Sequence, residues 1–216
     1  MKPGLVVSLL VMLVVPLVGL GESTAPPQYE EGTHYVELTI PIRSRDPSKI
    51  EVTEYFSYGC PHCYDFDPTI ESWTRNLASD IDFNRTPAIW NKDYEVYART
   101  YYTAEAMGVT EKIHTALFKA IHAERRTLND PQAMAMFFSE FDIDPIKFAK
   151  VYQSFGVRAS VQQAEARGRA YRSSGVPAFI VNGRYRVEGS KFITQLEMLK
   201  IVNFLVQKER GAKTSS

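Results

Sequence analysis

Residues 56–66, FSYGCPHCYDF, contain the only two cysteines of a 216-residue chain, three positions apart and separated by Pro61 and His62. Cysteines at this spacing serve as a static staple, as half of a metal site, or as a thiol pair that opens and closes. The flanks narrow the choice. IEVTEYF at 50–56 reads as a strand, and residues 64–77 repeat apolar side chains at helical spacing, with Phe66, Ile70, Trp73 and Leu77 as the expected buried stripe. Pro61 then falls at the first helical position, where a missing N–H costs nothing. Cys60 occupies the cap and Cys63 lies one turn on, so the two sulfurs share a face and approach bonding distance.

A helix N-terminus offers orphan N–H groups and positive charge to an anion. A thiolate on Cys60 is such an anion, and a free thiol pKa of ~8.5 falls by several units in this setting. Protonated His62 adds a second positive charge. A thiolate so stabilised leaves readily, and its disulfide is surrendered to an incoming thiol. The pair is therefore expected to oxidise other proteins, with Cys60 the exposed, attacked thiol and Cys63 the buried resolving one. If the Cys60 pKa is about 4, its charge stabilises the reduced protein by roughly 4 kcal/mol at pH 7. Closing a four-residue loop contributes only ~1.9 kcal/mol. The reduced form is then expected to be the more stable by about 2 kcal/mol.

Zinc needs four ligands, and beyond the two cysteines only His62, His34, His114 and His122 are on offer, with no second cysteine pair. His62 faces outward between the cysteines. A staple closing so short a loop gains little. A redox-active pair fits best, and no metal or cofactor is expected beyond the Cys60–Cys63 disulfide itself.

The chain ends bear on the compartment. Lys2 is followed by an almost continuous apolar run from Leu5 to Leu20, short for a membrane span, and by the small-x-small site Gly19-Leu20-Gly21. Residues 1–21 read as a cleavable signal peptide, which directs the thiol pair to an oxidising compartment. Lys plus Arg equals Asp plus Glu at 25 each, and loss of residues 1–21 removes only Lys2. Nothing in that balance favours nucleic acid or anionic lipid. The remaining chain is long enough for one sizeable core.

Residues 35–40 alternate as a first strand, and 81–85 form a third after the helix, giving a parallel crossover unit. Residues 91–157 are helical throughout. Thr110 is placed to cap a helix carrying Ile113, Leu117 and Ile121, and Asp130-Pro131 and Asp144-Pro145 are N-cap-plus-proline starts. Met134, Phe137 and Phe141, with Phe138 beside them, supply a small core. A helix over 161–172 is expected to end at Gly175. Asn182-Gly183 marks a hairpin between 178–181 and 184–187. A last helix, 192–206, carries Leu196, Leu199 and Val202 inward. The expected fold is α/β: a central mixed sheet flanked by helices, at 22–90 and 158–210, an inserted helical domain at 91–157 and a flexible tail at 211–216.

FSYGCPHC between strand and helix resembles the thioredoxin-like active site, and the Pro-His dipeptide is similar to that of the DsbA family of periplasmic thiol oxidases. An oxidising pair with a depressed cysteine pKa is a known property of that family, so the resemblance implies the same character without adding to it independently. The resemblance covers nearly the whole mature chain: QYEEG at 28–32 resembles the family's N-terminal segment, the helical insertion sits where the family interrupts its fold, and GVPA at 175–178 resembles its cis-proline loop. It implies a cis bond between Val176 and Pro177, facing the cysteines, with the Val176 backbone pairing to an extended substrate. Glu54 matches the family's buried acid near the resolving cysteine. Arg85 stands where a lysine is expected as its partner, and arginine does not shed its proton. The implied activity is donation of the Cys60–Cys63 disulfide to newly exported, unfolded proteins in the periplasm, with reoxidation by a quinone-linked, DsbB-like membrane partner. The alternatives are a disulfide isomerase or reductase, or a chaperone-like peptide-binding module. Monomer is the default.

Overall fold

The computed structural model describes residues 28–214; the expected signal peptide lies outside the described residues. Five strands form one mixed sheet in the order β1-β5-β4-β2-β3. They are β1 (Val36–Glu37), β2 (Ile50–Phe56), β3 (Ile81–Pro87), β4 (Ala178–Val181) and β5 (Tyr185–Glu188). Only β2 and β3 are parallel, joined by α1 (Pro61–Thr74) in the expected crossover. Every residue of the inner strand β2 is buried, because both faces of the sheet are covered.

Alternation along β4 assigns the faces. Phe179 and Val181 join a core with Phe66 and Ile70 of α1 and with Val202 and Leu205 of α7 (Gln195–Thr214). Ala178 and Ile180 point the other way, onto Tyr171. That residue ends α6 (Phe155–Tyr171), the last of five helices between β3 and β4. The others are α2 (Lys92–Met107), α3 (Thr110–His122), α4 (Pro131–Ser139) and α5 (Pro145–Tyr152). A second core fills this insert with Leu117, Phe118, Met134, Phe137, Phe138 and Phe148, and it reaches Phe56, Tyr58 and both cysteines. The thiol pair thus sits where the two cores meet.

Several boundaries differ from those expected. The first strand is only two residues long, because the chain leaves the sheet edge to cross Gly183, where Ile42 N donates to Gly183 O at 2.8 Å. α1 ends at Thr74, leaving Leu77 outside it and Trp73 half-buried. α6 begins at Phe155, capped by the Ser154 hydroxyl on Val157 N, so it straddles residue 157. Its C-cap is not Gly175 but Arg172, which takes the left-handed conformation itself (φ 51°). α3 is capped from Val109, and the Thr110 hydroxyl instead bonds Glu105. Leu196 is 63% exposed rather than inward. α7 continues to Thr214, into the segment expected to be a tail.

Candidate active site

The loop Ser57–Cys60 carries the chain from β2 into α1. Cys60 N donates to Ser57 O at 3.1 Å and Gly59 N to Ser57 Oγ at 3.1 Å. A Cβ on Gly59 would lie 2.8 Å from Tyr97 Cε2, so a larger residue there would have to push that ring aside. Cys60 is the extended N-cap of α1, without a side-chain cap bond, and Pro61 is the first helical residue. The orphan N–H groups of the first turn are therefore left to the sulfur.

The structure brings together most of the residues singled out in the sequence. Val176 and Pro177 are joined by a cis peptide bond, and the Cys60 thiol donates to Val176 O at 3.3 Å. His62 is exposed, as expected, and its carbonyl accepts from Gln195 Nε2 at 2.8 Å. Beside it, a groove of about 480 Å³ runs between His62, Val176, Pro177, Gly189, Ile193 and Met198. A larger groove, about 770 Å³, lies between β3, α2 and α6; neither cysteine lines either groove, and it is Val176, bonded to Cys60, that ties the smaller one to the thiol pair.

Cys60 is less open than expected, 7% exposed against 0% for Cys63. The order holds, but both sulfurs are largely covered. Its pKa is lowered to about 6, first by the hydrogen bond from the Cys63 thiol; burial opposes this, and the backbone N–H groups of Cys63 and His62 and the His62 charge add to it. The first cause was absent from the sequence argument, which gave the charge of His62 second place after the helix terminus. Burial, together with the bond to Cys60, pushes the Cys63 thiol far up, and Glu54 contributes in the same direction.

Glu54 is buried, 2% exposed, and accepts from Arg85 Nε at 2.7 Å. Burial outweighs the guanidinium and raises the carboxyl to about 7. Around Arg85 lies a cluster that the sequence did not announce. Arg85 Nη2 is 2.8 Å from Glu71 Oε1 and 3.6 Å from Asp67 Oδ1. Asp67 also accepts from Thr115 Oγ1 and lies 3.1 Å from His114 Nε2. Tyr58 Oη meets His114 Nδ1 at 2.8 Å, while His122 Nε2 lies 2.8 Å from Tyr58 O and stacks on Tyr64. In the sequence His114 and His122 figured only as zinc candidates; the one signal was that His114 adjoins the Ile113–Leu117 stripe. Asp67, Glu71 and His114 have a ligand-like spacing, but the guanidinium of Arg85 already supplies the positive charge there.

Comparison with known proteins agrees with this geometry. Residues 76–199, more than half of the chain, match the family described as DSBA-like thioredoxin domain. The thiol:disulfide interchange protein DsbA of Pseudomonas aeruginosa is 40% identical over 89% of this chain and 91% of its own. That of Azotobacter vinelandii is 40% identical over 89% and 90%. The crystal structure of Pseudomonas aeruginosa DsbA matches with a TM-score of 0.82, covering 86% of this chain and 97% of that one. The oxidoreductase DsbA from Xylella fastidiosa matches with a TM-score of 0.80 at 33% identity, covering 85% and 98%. An acidified cysteine at a helix cap, its buried partner and a cis-proline loop in this scaffold make the chain a DsbA-type disulfide oxidoreductase, and it belongs to the DsbA family of thiol:disulfide interchange proteins.

Proposed function

We propose that Cys60 and Cys63 donate their disulfide to exported, unfolded proteins, with Cys60 the attacked sulfur. A substrate thiolate attacks Cys60 Sγ, the Cys60–Cys63 bond breaks, and Cys63 leaves with the electron pair. A second substrate thiolate then attacks the substrate sulfur of the mixed disulfide and expels Cys60 as a thiolate. The substrate loses two electrons and the pair gains them. The observation that carries this reading is the asymmetry of the pair, with Cys60 lowered to about 6 and Cys63 pushed up. One thiol is thereby a good leaving group and the other leaves only with a proton.

Glu54, raised to about 7, is suited to give and take that proton near neutral pH. Arg85 holds the carboxyl without entering the transfer, because a guanidinium keeps its proton. Val176 O, adjacent to Cys60, offers a backbone acceptor to an extended peptide, and Pro177, without an N–H, donates nothing in competition. Pro61 starts the helix and His62 adds its charge. The apolar run 5–20, followed by a small-residue site, supports export to the periplasm. Reoxidation is assigned to a quinone-linked, DsbB-like membrane partner that accepts the two electrons. Titration of the pair against glutathione tests the reading: a potential above the glutathione poise is expected. One below about −300 mV, where structural disulfides lie, would rule out an oxidase. Cys60→Ala should abolish substrate oxidation, and full activity in that variant would point to a peptide-binding module instead.

A further inference from the structure

Tyr58, His114, Asp67, Arg85 and Glu54 form one buried chain of polar contacts leading toward Cys63. Four of the five come from β2, α1, β3 and the loop before Cys60; His114 alone comes from α3 of the insert. The Asp67 carboxylate beside Nε2 can only accept a hydrogen bond, and the Tyr58 phenol, which burial raises far above its ordinary range, keeps a proton to donate to Nδ1. The ring proton then belongs on Nε2. That atom is buried, lies 3.1 Å from Asp67 Oδ1, is poorly aligned with it, and finds no other acceptor among the described residues. A buried N–H without an acceptor costs more than an ordinary hydrogen bond contributes. The Asp67 carboxylate is therefore held against the ring.

Asp67 is also one of three acids around a single guanidinium, with Glu54 and Glu71. We propose that His114 is a positioning residue: by holding Asp67 from α3, it keeps Arg85 on Glu54, the acid that serves Cys63. This rests on the role assigned to Glu54 above. The titratable and charged groups facing His114 are Asp67 and Glu71 of α1, Arg85 of β3, Tyr58 of the preceding loop and Tyr101 of α2. Burial first, and then Arg85, lower the pKa of the ring against the pull of Asp67 and Glu71. His114 is thus neutral at neutral pH and acts by placing hydrogen bonds.

Two measurements test it. Long-range proton–nitrogen spectra of the wild-type protein between about pH 5.5 and 8 should show a neutral His114 carrying its proton on Nε2. A proton on Nδ1, or an imidazolium at pH 7, overturns the proposal. The second is the pH dependence of disulfide exchange with a dithiol peptide. His114→Gln offers an amide oxygen to Tyr58 and an NH2 to Asp67, and it should keep the limb due to Glu54. His114→Leu should move that limb up by roughly half a pH unit or more, because Asp67 then draws on Arg85. An unmoved limb in folded His114→Leu, or equal shifts in both variants, overturns it. If the Leu variant does not fold, a half-unit shift in His114→Gln does so alone. Glu54→Gln should remove the limb. Its persistence there would sink the reading of Glu54, and the spectra would still judge the placement of His114.

Discussion

Cys60 owes its acidity first to the thiol of Cys63, and less to the charge of His62. Cys63→Ala is therefore expected to raise the Cys60 pKa from about 6 by about one unit or more, and His62→Ser by about half a unit or less. Thiolate absorbance followed against pH measures both, and a larger shift in His62→Ser would put the imidazolium first. Brief alkylation of the reduced protein should label Cys60 far ahead of Cys63; the reverse would exchange their roles. The thiol pair and its polarity were legible because helix-cap chemistry is local. The chain behind it was not. Glu54 and Arg85 are 31 positions apart and were found only through the family resemblance, and Tyr58 and His114 are 56 apart. Nothing in a single sequence says that such residues meet.

Among the elements, the two Asp-Pro helix starts and the Asn-Gly hairpin were read correctly, whereas the Thr110 cap and the Gly175 stop were not. Asp130 accepts from Gln132 N and Ala133 N, and Asp144 from Ile146 N, each followed by the proline that starts its helix. Asn182 and Gly183 have φ of 50° and 62°, the left-handed pair of a tight hairpin. β1 is cut short by the crossing at Gly183, a tertiary contact, whereas α6 gains its first turn from Ser154, a local cap that was overlooked. The prediction at this scale follows from the crossing. A Cβ on Gly183 would lie 1.9 Å from Ile42 O, so Gly183→Ala should destabilise the protein by more than the ~1–2 kcal/mol of left-handed backbone alone. Asp130→Ala should cost about 1 kcal/mol, the usual value of an N-cap. Urea melts distinguish them, and equal midpoints for the two variants would mean that the hairpin moves aside.

For the whole molecule, the lowered Cys60 pKa sets which redox form is more stable, and the structure revises the balance drawn from the sequence. With a folded value of about 6 rather than 4, only one pH unit separates it from pH 7. The thiolate then contributes at most about 1.4 kcal/mol there, less after solvent screening. Loop closure contributes ~1.9 kcal/mol, so the oxidised form should be the more stable at pH 7, by under about 1 kcal/mol. Because the folded pKa is depressed, its contribution is complete only above the unfolded value of ~8.5, and it is lost as pH falls through about 6. The two stability curves should therefore cross at roughly pH 7.5 or slightly above. Cys63 limits the other side: its raised pKa keeps it protonated where the unfolded thiol ionises, so the reduced form loses ground again above pH ~8.5. Denaturant melts of both forms between about pH 5 and 9 should show a narrow alkaline window in which the reduced protein leads. A reduced form already ahead at about pH 6 would place Cys60 near 4 and restore the larger thiolate contribution. An oxidised form ahead throughout would mean that the thiolate is too weakly held to offset the closed loop, and the pair would then be a poor oxidant.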